Sequence, residues 1–278
     1  MSQPEIKDMG DLETINTGHH VHDEEQLRNA LSKSVTLSPE LFERLYLSPK
    51  NEVAGDLRKT FANPTPMAVM GFSVGVFPLS IALMGWGGSG NLATGTTACS
   101  IFFGGMLLII AGLLEFVLGN NFPFLVFMGY GAHFLSFACT FLPSFDSIAF
   151  ASGGDPYKVT PSFEASFVYY TAALAILSFI FLLGSLRTNL IFVLIFISAM
   201  CGFCFASAGL YYNSVGETGK GTKYIVATGA GFFAADMLGF YLFLGMMFEI
   251  MELPFPTPPV WDLSTVVKPK SRKVVKEE

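Results

Sequence analysis

Between residues 61 and 252 the chain carries only four Lys/Arg and eight Asp/Glu, and this long stretch with so little charge restricts its fold more than any other feature. A soluble domain usually devotes about 25% of its residues to charge, and 192 residues with twelve charges cannot cover themselves with a hydrated surface. The shortage is local. Residues 1–60 hold seven basic and eleven acidic side chains, and residues 253–278 hold five and three. The sequence is therefore a nearly uncharged body between two polar ends, which excludes a soluble enzyme and a disordered chain. A net charge of -6 argues against nucleic acid as a partner, which would call for a basic balance.

Crossing a hydrocarbon core of about 30 Å takes about 20 apolar residues in a helix. Six windows meet that length: 67–84, 97–118, 122–142, 167–186, 190–210 and 225–250. They are separated by Gly, Pro, Asn or charged segments that end helices or belong at the water boundary. The expected fold is an all-α membrane protein with six transmembrane helices per protomer. The N-terminus has no apolar segment, so no cleaved secretory signal is expected.

The cysteines, Cys99, Cys139, Cys201 and Cys204, fall in apolar runs. Cys201 and Cys204 form a C-x-x-C with no second pair, so packing is expected rather than a metal, redox or disulfide role. No cofactor is expected.

Orientation follows the basic residues near the span ends. With both termini cytoplasmic, the inner side holds Arg58, Lys59, Arg187, Lys268, Lys270, Arg272, Lys273 and Lys276, against Lys158, Lys220 and Lys223 outside. The chain divides into a polar, disordered cytoplasmic tail at 1–36, an amphipathic pre-membrane helix and linker at 37–60, the six-span domain at 61–252, and a cytoplasmic tail at 253–278. The helix at 37–60 rests on Ser38-Pro39 as a start signal and on Leu41, Phe42, Leu45 and Tyr46 on one face.

Small residues recur inside the spans: Gly71 and Gly75 as G-x-x-x-G, Gly104-Gly105, Gly129 with Gly131, Gly229 with Gly231, Gly239 and Gly245. Lipid gives helices no hydrophobic reason to associate, so such positions predict close backbone packing. Ionisable groups inside the spans are few, and each is costly. Asp236 and His133 sit deep; either they form a proton-handling pair or each is satisfied locally by a hydroxyl or carbonyl. Glu115 is a third candidate, and with Glu249 and Glu252 it lies near a span end, where a boundary position is the default. Intramembrane proteolysis would need paired Asp residues, a Ser with a supporting turn, or H-E-x-x-H, and none is present. Two classes survive: a small-solute transporter or channel, and a non-conducting sensor.

Before the first span the chain reads Asn63-Pro64-Thr65-Pro66-Met67-Ala68. This resembles the N-P-A-P-L-G-L signature of the acetate uptake transporter family, the succinate-acetate permeases. The resemblance continues in order through Phe102-Phe103-Gly104-Gly105, Ala111-Gly112-Leu113-Leu114-Glu115-Phe116, Gly119-Asn120-Asn121-Phe122, Tyr130-Gly131, Gly184-Ser185-Leu186-Arg187 and Gly239-Phe240-Tyr241. The long N-terminal tail is similar to those of fungal members.

The resemblance implies a plasma-membrane protein assembled as a homo-hexamer, each six-helix protomer enclosing its own pore. It implies passage of acetate or related short carboxylates, by proton symport or through a channel, with ammonium export or acid sensing as the alternative. The implied substrate pathway comprises Asn63, Pro64 and Pro66 at the mouth and a constriction of Phe72 and Tyr130. Its third member, usually Leu, falls on Ala199 with Met200 beside it. A dehydrated carboxylate would take replacement donors from the Tyr130 hydroxyl and from the amides of Asn63 or Asn121. The chain departs from the family pattern at Thr65, Met67-Ala68, His133 and Asp236.

Overall fold

A computed structural model describes residues 60–264 and 266–267. The tail at 1–36, the pre-membrane helix except for Thr60, and the end of the C-terminal tail lie outside these residues. Among the described residues six helices are long and apolar enough to cross a membrane: α1 (Thr65–Met84), α2 (Ala93–Val117), α3 (Asn121–Thr140), α4 (Pro161–Ser185), α5 (Leu190–Ser214) and α6 (Thr218–Ile250). The chain is thus an all-α membrane protein with six transmembrane helices.

Two of the helices, α4 and α6, begin six and seven residues earlier than hydropathy suggests, because polar turns precede their apolar runs. In α4 the Thr160 Oγ1 accepts the Phe163 N–H at 3.2 Å and Pro161 fills the first turn, six residues ahead of the predicted window. In α6 the first turns, from Thr218, are polar. Its 33 residues, at about 1.5 Å each, outreach the hydrocarbon core. Asn189 caps α5 by accepting the Phe192 N–H at 2.9 Å.

Helix α1 starts where Asn63 Oδ1 accepts the Thr65 N–H at 3.0 Å, and it ends at Gly85 in the left-handed region. Pro78 lies inside it and has no N–H to offer the carbonyl of Val74, one turn back. The Cys99 thiol of α2 donates to that Val74 carbonyl at 3.1 Å. A cysteine expected only to pack thus satisfies a backbone acceptor that a proline has stranded.

Helix α2 is not uniform. It opens in 3₁₀ geometry over Asn91–Thr96, passes through one α turn at Thr97–Cys99, widens to a π-helix over Ser100–Leu107 and finishes as α-helix over Leu108–Val117. The wide turn carries Gly104 and Gly105, and here α1, α2 and α3 meet most closely. A Cβ on Gly75 would stand 2.9 Å from the Gly104 Cα, and one on Gly104 would stand 2.5 Å from the Phe134 ring. Gly71 faces the Phe103 carbonyl in the same way, so the G-x-x-x-G pair is a packing device between α1 and α2.

Neighbouring helices run antiparallel and form a ring. Backbones approach closely at α1–α2, α2–α3, α4–α5, α5–α6 and α6–α1. Between α3 and α4 the joint is made instead by large side chains: Tyr130 with Ser178, His133 with Tyr170, and the edge-to-face pair Phe122 and Phe181. Large apolar side chains such as Phe102, Phe116, Ile176 and Ile180 point outward, as expected where lipid is the solvent. The interior is filled largely by aromatic rings, including Phe127, Phe181, Phe196 and Phe203.

The residues after α6 fold back on the bundle. Val260 is buried with Ile191, Leu242 and Met246. The Leu190 N–H donates to the carbonyls of Val260 and Trp261, the Leu263 N–H to that of Thr188, and Tyr241 Oη to that of Pro259 at 2.8 Å. Thr257 Oγ1 also donates to the Glu249 carboxylate. This part of the expected C-terminal tail therefore clips the α4–α5 loop to the end of α6.

Candidate functional site

Three cavities lie within the ring. The widest, about 330 Å³, is bounded by the ends of α3, α4, α5 and α6 away from the termini, with Phe141, Phe163, Glu164, Tyr170, Asn213 and Thr222 among its walls. A second, about 30 Å³, lies at mid-span between Phe72, Val76, Tyr130, Ala199 and Ala235. The third, about 40 Å³, lies toward the termini between Val69, Leu108, Phe127, Ile195 and Leu242. Their walls are shared: Leu79, His133, Phe203 and Phe232 bound the first and second, and Phe72 and Tyr130 bound the second and third. The cavities are therefore consecutive, with Phe72 and Tyr130 as the partition between the two narrow ones. A molecule of water occupies about 30 Å³ in the liquid, so neither small cavity admits a hydrated ion.

Tyr130 is held rather than free. Ser178 Oγ gives its proton to the Leu174 carbonyl at 2.7 Å, so Tyr130 Oη donates to Ser178 Oγ in the 2.8 Å contact between them. Its hydroxyl proton is thus occupied, against the expectation that it would serve a dehydrated carboxylate. The ring is wedged edge-to-face on Phe181 and stacked beside Phe196, at centroid distances of 5.6 and 6.3 Å. The partition presents ring surface more than hydrogen-bonding groups.

Ala199 lines the middle cavity, whereas Met200 belongs to none of the three. At this wall the chain presents a methyl group, and the longer Met200 side chain does not turn in beside it. Asn121 is exposed at the start of α3 and lies on no cavity wall. Asn63, Pro64 and Pro66 stand at the terminal end of α1, where the Asn63 side-chain oxygen accepts from the first turn of the helix.

His133 and Asp236 are not brought together. His133 lines the wide and middle cavities, its Nδ1 paired with Tyr170 Oη at 2.7 Å and its ring edge-on to Phe203. Asp236 is fully buried on α6 and lines none of the three cavities, and neither of its carboxyl oxygens has a hydrogen-bond partner among the described residues. The two stand apart because residues 235 and 236 turn to different sides: Ala235 takes the wall of the middle cavity that His133 also lines, and Asp236 is buried away from it.

Glu115 is fully buried, and not at an open boundary. Its Oε1 accepts from Thr65 Oγ1 and its Oε2 from Asn120 Nδ2, both at 2.5 Å. This carboxylate fastens the start of α1 to the α2–α3 turn at the terminal end of the cavity line. Thr65, a departure from the family signature, supplies one of the donors. Ser178, Tyr170, Phe203 and Phe232 were missed in the sequence, since hydroxyls and rings in apolar runs carry no mark of which way they face.

The sequence profile of the GPR1/FUN34/yaaH family matches residues 47–264. The chain is 39% identical over 249 residues to Protein alcS of Aspergillus fumigatus, covering 87% of this chain and 91% of that one. It is 26% identical over 180 residues to Acetate permease A of Emericella nidulans, covering 63% and 57%. Among solved structures it is similar to the bacterial acetate channel SatP, with a TM-score of 0.57 at 21% identity over 72% of this chain and 99% of that one, a likeness of fold. From the profile match and the extended similarity to alcS, this chain belongs to the GPR1/FUN34/yaaH family.

Proposed function

We propose that the chain is a membrane transporter or channel for acetate and related short-chain carboxylates, working as proton-linked uptake. The observation that carries this reading is the line of three cavities divided at Phe72 and Tyr130. An apolar partition with its one hydroxyl already bonded rejects hydrated ions, because stripping a charged group of water without replacement donors is costly. A small solute that sheds its charge with a proton meets far less resistance, which supports proton linkage. Asn63, Pro64 and Pro66 form the mouth at the terminal end in this reading, with Phe72, Tyr130 and Ala199 at the narrow point. His133, on the walls of the wide and middle cavities, and Glu164, on the wide one, are charge-bearing side chains along the path.

The same reading places the protein in the plasma membrane with both termini cytoplasmic, supported by the excess of Lys and Arg on that side, and as a homo-hexamer with one path per protomer. Uptake of labelled acetate, propionate, lactate, succinate and methylammonium into proteoliposomes, with and without an inward proton gradient, tests it. Acetate entry well above that of empty vesicles, increased by the gradient, is expected. Entry of methylammonium alone would favour the ammonium alternative, and no entry of any solute would favour a non-conducting sensor.

A further inference from the structure

Phe72 and Ala235 face the middle cavity, and the residue after each, Ser73 on α1 and Asp236 on α6, lines none of the three cavities. Ser73 and Asp236 are both fully buried, and the Ser73 hydroxyl and both Asp236 carboxyl oxygens have no hydrogen-bond partner among the described residues. Gly239, nearly one turn beyond Asp236, brings the two helices together: a Cβ there would lie 2.6 Å from Ser73 Oγ and 3.1 Å from Phe72 Cδ1. Residues three apart share a helix face, so Asp236 belongs to the face of α6 that meets Ser73, the residue next to Phe72 of the constriction.

No counter-charge meets Asp236. Helices α1 and α5, which pack on α6, contain no Asp, Glu, Lys, Arg or His, and their titratable groups are Cys201, Cys204, Tyr211 and Tyr212 of α5. On α6 itself Lys220, Lys223, Tyr224, Tyr241 and Glu249 lie at least five residues away. After α6, Glu252 and Asp262 are the charged groups among the described residues; Glu252 is exposed and Asp262 pairs with Asn189 across a backbone bridge. His133 is engaged with Tyr170 on the far side of the cavity. An ionised carboxylate with neither donors nor a cation is costly in such surroundings, so the un-ionised acid is the resting form and the carboxylate a short-lived one. A carboxylic acid carries a donor and acceptors of its own, and buried water is held where two to four such partners converge.

We propose that Asp236 and Ser73 form a proton-holding site, in which the un-ionised acid of Asp236 is joined to the Ser73 hydroxyl through one water, and that its occupancy acts on Phe72 through the contact of α1 with α6. On release, the Asp236 O–H bond breaks with its electron pair left on the carboxylate, and the proton passes to the water oxygen and then toward the middle cavity. Uptake is the reverse. The site would sit beside the solute path and not on it, unlike His133.

The test is infrared spectroscopy of the full-length protein in detergent at neutral pH, where exposed carboxyls are ionised and only held acids show a carboxylic carbonyl band. One such band is expected to vanish in Asp236→Asn, to persist but shift in Ser73→Ala, and to move in heavy water. Spectra of the unchanged protein and Asp236→Asn that coincide in this region overturn the proposal. In proteoliposomes, the ratio of acetate uptake in neutral to mildly alkaline medium, the range in which an acid held at neutral pH gives up its proton, is expected to fall several-fold in Asp236→Asn; an unchanged ratio overturns the link to Phe72 and with it the proposal. This arm rests on the permeation reading, and if the unchanged protein passes no solute that reading fails while the infrared arm still decides the site. Asn is close to isosteric with Asp, and a monodisperse elution profile confirms that the variant folds.

Discussion

Thr65 Oγ1 donates to Glu115 Oε1 at 2.5 Å across fifty residues of sequence, joining the first turn of α1 to the last turns of α2. Asn120 Nδ2 holds the other oxygen. A buried carboxylate with a donor on each oxygen is a fixed point of the bundle, and losing one donor exposes the cost of burying the charge. Thr65→Val, which keeps the shape and removes the hydroxyl, is expected to destabilise the protein by about 1–3 kcal/mol. Thr65→Ser should restore most of it. Thermal unfolding in detergent checks this, and equal stability of the Val variant would show that the bond contributes nothing.

Tyr130 spends its hydroxyl on Ser178. Tyr130→Phe and Ser178→Ala are therefore expected to cost about 0.5–1.5 kcal/mol each while acetate uptake continues. A folded Tyr130→Phe variant without uptake would mean that the hydroxyl serves the solute after all.

Ala199 leaves the middle cavity open where a larger side chain would close it. Ala199→Leu is expected to lower uptake at least several-fold, at a packing cost of about 1–3 kcal/mol. Phe72→Ala should act in the opposite sense and admit bulkier solutes such as lactate. Initial rates across the solute panel measure both, and unchanged rates in the two variants would remove the partition from the path.

Val260 anchors the segment that folds back over the α4–α5 loop and the end of α6. Val260→Asp, which places a charge in a buried apolar site, is expected to destabilise the protein by several kcal/mol. Tyr241→Phe should lose only the bond to the Pro259 carbonyl, about 0.5–1.5 kcal/mol. Limited proteolysis after residue 253, resisted by the unchanged protein and rapid in Val260→Asp, reads the release of the segment directly.

The helix count, the approximate spans and the small-residue contact of Gly71 and Gly75 were legible in the sequence because each is a one-dimensional property. Length against membrane thickness needs no partner, and a G-x-x-x-G pair marks a helix face by spacing alone. The same reading missed the early starts of α4 and α6, because hydropathy windows do not register polar turns. It also could not see the π-helical turn of α2 or the folded-back segment around Val260, which depend on what lies opposite. Cys99 is the clearest instance. Nothing near it in sequence explains it, yet Pro78 on another helix leaves the carbonyl it satisfies.

For the ionisable groups the division is sharper. The sequence by itself determined that His133, Asp236 and Glu115 are exceptional, since charge in an apolar span has to be accounted for wherever the helix packs. Only the tertiary structure decided their surroundings: His133 on a cavity wall with Tyr170, Glu115 between Thr65 and Asn120, and Asp236 buried with its oxygens unpartnered among the described residues. Adjacent residues on a helix diverge by about 100°. A sequence that names a residue in a span therefore does not say whether it meets the path, a neighbouring helix or lipid, and that choice is made by how the six helices close into a ring.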